Sequence, residues 1–349
     1  MPKAQRTINV GIIGVSGYTG LELVKLLLLH PVFTLTYVAN SQGGGELKEI
    51  HKMLANTPLA HLPIHKADAK EALKSCELIF LALPHKSAMT MAKELFSHNP
   101  QAKVIDLSAD YRLNATNYEA HYCPHIDKEH LNSAVYGLPE YNKEAIKNAH
   151  LVANPGCYPT ATLLALLPFA PYIDTSCAVF VDAKSGVSGA GKSLSENTHF
   201  SHINENLFSY SPLTHRHQIE ISQKCSDLSQ KEFEILFVPH LTPLTRGMLV
   251  SVFATLQSPL STQEAMNLLH KAYDDEPFIR IRENPVSIAQ VAGSHFCDIF
   301  VATSGKNIYI NSSIDNLLRG ASSQALVNAN LICGLDESLG VPLTPYGIF

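Results

Sequence analysis

Seven consecutive residues, Asn154-Pro155-Gly156-Cys157-Tyr158-Pro159-Thr160, carry the side chain in this chain best suited to covalent chemistry. They stand between a short apolar run, 151–153, and a strongly apolar one, 161–167. That pattern predicts a strand, a tight turn and a helix. Gly156 frees the backbone to turn sharply, and Pro159 suits the first turn of a helix, where its missing N–H costs nothing. Cys157 then falls at a helix N-terminus, where unpaired N–H groups and the dipole favour a thiolate. A thiolate so placed is a nucleophile for an acyl group. The plain alternative is a small buried cysteine that packs as an apolar side chain.

Two imidazoles offer the proton chemistry such a nucleophile needs. His215 and His217 flank Arg216 in the stretch 214–221. On a strand the two rings share a face; on a helix they diverge. Read alone the stretch is a solvated polar segment, but beside an activated cysteine it supplies a candidate general acid and base. Arg112, in Ser108-Ala109-Asp110-Tyr111-Arg112, is placed either to clamp a carboxylate or phosphate in bidentate fashion or to form a surface salt bridge.

The elements that must position these residues are α/β in the first half. A β-rich run, 8–13, leads into Gly14-Val15-Ser16-Gly17-Tyr18-Thr19-Gly20 and then the apolar helix 21–29, which stops at His30-Pro31. Strand, glycine loop and helix open a dinucleotide-binding βαβ unit, with the pyrophosphate expected at the helix N-terminus. The spacing is GxxGxxG rather than GxGxxG. The second strand, 35–39, ends in Asn40-Ser41-Gln42, with no acidic residue before Glu46 to hold a ribose 2′-hydroxyl. Small polar groups there leave space for a 2′-phosphate, which favours NADP. Strands at 78–83 and 104–107 around a helix at 87–96 complete a doubly wound parallel sheet.

The second half reads as α+β with a mainly antiparallel sheet: strands at 178–183, 234–238, 248–254, 298–303 and 308–311, and a helix at 262–273. A long helix is expected over 315–333, with Asp315 as N-cap and Gly334 just beyond its end. Between strand and polar segment lies Gly186-Val187-Ser188-Gly189-Ala190-Gly191-Lys192-Ser193, which matches the phosphate loop of NTPases. The residues after it, 194–208, are rich in Ser, Asn, Glu and His rather than forming the apolar helix such loops open, so a glycine-rich loop against a bound cofactor is the preferred reading.

Composition sets the outer limits. A chain of 349 residues, 46% hydrophobic and 16% charged, has the balance of a globular protein of two ordinary domains. A net charge of −5 with no Lys/Arg block argues against a nucleic-acid partner. Seven cysteines without a CxxC pair suit a reducing compartment, and no Cys/His spacing suggests a metal. The apolar runs 21–29 and 163–173 fall short of the about 18 residues that span a bilayer, and residues 1–7 do not read as a signal peptide. A cytoplasmic protein without a membrane partner is expected.

Taken in order, Gly14-x-x-Gly17-Tyr18-Thr19-Gly20, residues 154–160, Ser185-Gly186-x-Ser188-Gly189-Ala190-Gly191, His215-Arg216-His217 and Ile314-Asp315-Asn316-Leu317 resemble, over essentially the full length, the N-acetyl-γ-glutamyl-phosphate reductases of arginine biosynthesis, relatives of aspartate-semialdehyde dehydrogenase. The resemblance implies NADPH, a small-molecule acyl-phosphate substrate and a homodimer or homotetramer. By position it makes Cys157 the nucleophile that forms a thioester, His217 the acid/base and Arg112 a substrate-binding residue. Gly14, Ser16, Gly17, Tyr18, Thr19, Gly20, Ser41, Ser188, Gly189 and Asn316 become cofactor-facing. It implies a Rossmann-type domain over 1–153, a catalytic and oligomerisation domain over 154–314, and a C-terminal helical segment, 315–349, that packs back on the first. Ile219 departs from the family, which has proline after His-Arg-His-x. Reductases of aspartyl or aminoadipyl phosphate share the same chemistry. An ATP-using enzyme and a cofactor-binding redox sensor are the readings from other classes.

Overall fold

Apolar residues run without alternation through 10–13 and Leu78–Leu81, as expected of strands covered on both faces. In the computed structural model, which describes residues 7–347, both lie inside a seven-stranded sheet. Its strands are β1 (Ile8–Ile13), β2 (Phe33–Asn40), β3 (Ile64–Lys66), β4 (Leu78–Leu81), β5 (Lys103–Asp106), β6 (Val135–Tyr136) and β7 (Leu151–Ala153), in the order β3-β2-β1-β4-β5-β7-β6. Every pairing is parallel. The loops that follow Ile13, Asn40, Leu81, Asp106 and Ala153 therefore share one edge, the carboxyl edge where α/β folds bind ligands.

The sheet belongs to a unit formed by Met1–Pro155 and Ala321–Val341. After β1 comes the helix Tyr18–Leu28, which buries Leu23, Val24, Leu26 and Leu27. His30 turns the chain into β2: its Nδ1 accepts from the N–H groups of Val32 (3.2 Å) and Phe33 (2.8 Å), and its Nε2 meets Asn330 Oδ1 at 3.1 Å. Asn330 lies on the helix Ser323–Ile332, all ten residues of which are buried. Lys103 Nζ donates to the carbonyl of Ile332 at its end (2.8 Å).

The second unit comprises Gly156–Gly320 and Pro342–Phe349. Its sheet holds β8 (Val179–Gly186), β9 (Phe208–Ser209), β10 (Ile235–Thr242), β11 (Met248–Thr255), β12 (Ile279–Ile281), β13 (Cys297–Ser304) and β14 (Asn307–Ile314), in the order β12-β13-β14-β11-β8-β10-β9. Most pairings are antiparallel; β8–β10 and β12–β13 are parallel. The parallel β8–β10 pair follows from the helix His217–Ser229 lying between them in sequence, since parallel neighbours need a crossover. Burial alternates along β8. The inner positions of the sheet pack on helices that include Cys157–Leu166, while Phe180 and Phe253 on the other face are 39% and 46% exposed.

The segment after β14 departs from the expected single helix. Leu318–Ser322 forms a π-turn before the α-helix begins at Ser323. Asp315 does cap, with Oδ1 accepting from Leu317 N (2.9 Å) and Leu318 N (3.0 Å), but the next bond runs from Gly320 N to Asp315 O (2.9 Å), a π-type step. Gly320 lies against Cys157: a Cβ there would stand 2.6 Å from Cys157 Cβ. The widened turn and the glycine together let the chain pass the cysteine.

Candidate active site

Cys157 is the first residue of the helix Cys157–Leu166, as the sequence pattern predicts. Every residue after it in that helix is buried, so the helix is held on all sides and its N-terminus is fixed in place. The Cys157 thiol is itself only partly buried, unlike Cys225, whose thiol burial pushes up to about 12. Gly156 caps the helix without a side chain of its own. Its carbonyl accepts from Thr160 N (2.9 Å) and Thr160 Oγ1 (3.0 Å), and its N–H donates to Glu220 Oε1 at 2.9 Å.

The two histidines take different positions because the helix His217–Ser229 starts between them. His215 Nδ1 accepts from the N–H of His217 at 3.1 Å and so caps that helix. Capping requires an unprotonated Nδ1, and burial, aided by the Arg216 charge, lowers the His215 pKa to about 4. His217 stands in the first turn, free of that capping duty. Ile219 fits the same turn, where an N–H is not required to find a helical partner and proline or isoleucine serves alike.

Tyr158 joins the cysteine helix to this pair. Its ring meets those of His215 and His217 edge-on, both at 5.7 Å, and the two imidazoles are 4.9 Å apart. Its hydroxyl is 3.2 Å from that of Tyr210 and donates to His240 O at 3.3 Å. Burial raises the pKa of both phenols, Tyr210 to about 12, so both remain protonated. Cys157, His217, Tyr158, Tyr210 and Glu220 thus form one cluster in the second unit. Glu220 and Tyr210 escape a reading of the sequence alone, since a glutamate in a polar stretch looks solvated. Its place in the first turn of a helix was the available signal.

Within the first unit, the glycine loop has the form a dinucleotide needs. Gly14 has φ +101°, and a Cβ there would strike Ala82 O at 2.2 Å; a Cβ on Gly20 would lie 2.6 Å from Gly14 O. Gly17 differs, with nothing within 4 Å of its missing Cβ and no side chain capping the helix Tyr18–Leu28. This open backbone approach to a helix N-terminus fits a pyrophosphate. Ser16 Oγ accepts from Asn40 Nδ2 (3.2 Å), and Asn40 Oδ1 accepts from Gln42 N and Gly43 N, which leaves Ser41 exposed at the end of β2. Glu46 pairs with Lys48 (2.8 Å) and His61 (3.0 Å).

Arg112 is 6% exposed, and its guanidinium donates to Asn154 O (2.7 Å) and Leu107 O (2.8 Å). These bonds tie the end of β5 to the start of the cysteine turn. In the second unit Asn316 Nδ2 donates to Ser188 Oγ (3.1 Å) and Asn316 Oδ1 accepts from Gly247 N (2.7 Å), which fixes the loop carrying Gly189. That loop is a 3-10 turn, Val187–Ala190, followed by irregular chain, and no α-helix opens at Lys192-Ser193. The NTPase reading fails on that ground. Among the described residues no group of three or more His, Cys, Asp or Glu is placed to hold a metal, and no helix is long and apolar enough to cross a membrane.

Residues 9–149 match the family model described as semialdehyde dehydrogenase, NAD binding domain, and residues 157–316 the one described as semialdehyde dehydrogenase, dimerisation domain. An N-acetyl-gamma-glutamyl-phosphate reductase of Wolinella succinogenes is 58% identical over 98% of this chain and 99% of its own; one from Sulfurovum sp. is 56% identical over 97% and 99%. Among solved structures, aspartate semialdehyde dehydrogenase II of Vibrio cholerae shares the fold with TM-score 0.70 and 16% identity, over 94% of this chain and 99% of that one. The Candida albicans aspartate semialdehyde dehydrogenase with NADP gives 0.71 and 13%, over 94% and 98%. The chain belongs to the semialdehyde dehydrogenase family, within its N-acetyl-gamma-glutamyl-phosphate reductase branch.

Proposed function

We propose that the chain reduces N-acetyl-γ-glutamyl phosphate to N-acetyl-glutamate 5-semialdehyde, releasing phosphate, with NADPH as the reductant. The observation that carries this reading is the partly exposed Cys157 at the head of a buried helix, in one cluster with His217. Cys157 Sγ attacks the γ-acyl carbon as His217 takes the thiol proton; the carbon–oxygen bond to phosphate breaks and a thioester remains. Bound NADPH supplies the hydride that brings this thioester to the aldehyde level. His217 returns its proton to the oxygen that the hydride leaves charged, then withdraws it as the carbon–sulfur bond breaks and the aldehyde departs. The main-chain N–H groups opening the cysteine helix stabilise that oxygen.

Gly14, Ser16, Gly17, Tyr18, Thr19 and Gly20 would hold the pyrophosphate, and the uncharged Asn40-Ser41-Gln42 end of β2 accommodates a 2′-phosphate. Ser188, Gly189 and Asn316 form the second cofactor-facing group. Arg112 orders the cysteine turn and contributes to binding the substrate's charge. The proposed division of labour is 1–153 for the dinucleotide and 154–314 for catalysis and self-association; of the segment expected to return to the first domain, 321–341 lies with the first unit, whereas 315–320 and the chain from Pro342 lie with the second. Self-association as a dimer or tetramer uses the open face of the second sheet, where the rings of Phe180 and Phe253 lie tilted with centroids 6.5 Å apart. Seven free thiols suit a cytoplasmic setting.

The test is phosphate-dependent reduction of NADP with each semialdehyde in turn. N-acetyl-glutamate 5-semialdehyde should be turned over far faster than aspartate semialdehyde or a carrier-bound aminoadipate semialdehyde. A preference for either of the latter would reassign the substrate and leave the chemistry standing.

A further inference from the structure

Glu220 is 1% exposed, yet it carries a carboxylate in the first turn of the histidine helix, three residues after His217. Its Oε1 accepts from the N–H of Gly156, the residue directly before Cys157, at 2.9 Å. Gly156 offers the cysteine helix no side-chain cap, so an acceptor from another helix receives the N–H at that point. One side chain therefore fastens the start of the histidine helix to the start of the cysteine helix. We infer that Glu220 is a positioning residue, setting the distance between the Cys157 sulfur and the His217 imidazole through the reach of its acceptor oxygen rather than through its charge.

The electrostatics favour that distinction. Two helix N-termini surround the carboxylate, and their partial positive charge lowers the cost of burying it. A negative charge beside Cys157, however, opposes a thiolate. Charge alone would work against the nucleophile, whereas a fixed acceptor 2.9 Å from Gly156 N works for it. Small displacements of reacting groups also cost large factors in rate.

This inference rests on the reading of Cys157 and His217 as nucleophile and acid/base. A crossed pair of variants tests it, assayed for kcat, KM for NADPH and thermal midpoint. Glu220→Asp keeps the charge and loses the reach of one methylene; Glu220→Gln keeps the reach and an acceptor oxygen but loses the charge. The expected result is that E220D loses about a hundredfold in kcat with KM for NADPH little changed, whereas E220Q stays within about fivefold of the parent. E220D active with E220Q dead, both at parental rates, or both equally impaired would each overturn the inference. Cys157→Ser measured alongside separates the two levels: activity in that variant defeats the underlying reading, whereas an inactive C157S with an unimpaired E220D defeats only the role of Glu220.

Discussion

The glycine loop after β1 and the cluster around Cys157 solve their tasks in opposite ways. The loop depends on side chains that are missing. Gly14 and Gly20 leave room for backbone to pass backbone, and Gly17 leaves a helix N-terminus open. All of this lies within a few consecutive residues. The cluster depends on side chains brought together from distant positions: Cys157 and Tyr158, Tyr210, His215 and His217, Glu220, and Gly320 beneath the cysteine. Local backbone geometry is enough for the proposed anion site, whereas the proposed nucleophile and its proton partner need tertiary structure.

Substitutions that touch one region and spare the other sharpen the contrast. Cys157→Ser should abolish turnover while NADPH still binds, as measured by fluorescence titration of the nucleotide. His217→Asn should slow turnover by about a hundredfold or more, in line with the usual contribution of a general acid or base, and should alter the pH–rate profile. The two loop glycines should respond differently from each other. Gly14→Ala forces a side chain into a left-handed backbone and against Ala82 O at 2.2 Å, so it should destabilise by about 1–3 kcal/mol in urea unfolding. Gly17→Ala has space for its methyl group. Its unfolding midpoint should hold while KM for NADPH rises, because the methyl group occupies the approach of the pyrophosphate. Equal effects of the two would erase the distinction between a structural and a ligand-facing glycine.

A further effect concerns pH. Folding lowers the pKa of His215 to about 4 from an ordinary 6.5, so below pH 6.5 the unfolded chain takes up a proton that the folded one refuses. Stability should therefore fall as the pH drops from 6.5 towards 4 and level off below that. His30, His125 and His295, also held below the ordinary value by burial, act in the same direction. His215→Asn removes the titrating ring and should flatten part of this slope in urea midpoints measured across the range.

What could be read from sequence follows the same division. The strand–turn–helix at Cys157, the glycine loop and the helix Thr262–Tyr273 are contiguous signals and stand where the pattern puts them. The start of the histidine helix was open between two readings because the deciding contact, His215 Nδ1 on His217 N, is a side chain capping its neighbour's backbone. Glu220 was invisible because its partner lies 64 positions away. The π-turn Leu318–Ser322 replaced a regular helix because Gly320 must clear Cys157. The burial of Arg112 against the carbonyls of Asn154 and Leu107 follows from the parallel pairing of β5 with β7, which no local pattern reports.

The proposed thioester is tested directly by mixing enzyme with N-acetyl-γ-glutamyl phosphate in the absence of NADPH. The expected outcome is a burst of roughly one phosphate per chain, with an acyl group recovered on the peptide containing Cys157 and neither seen in the Cys157→Ser variant. No phosphate release until NADPH is added, or a burst that survives the serine substitution, would contradict a covalent route through this sulfur.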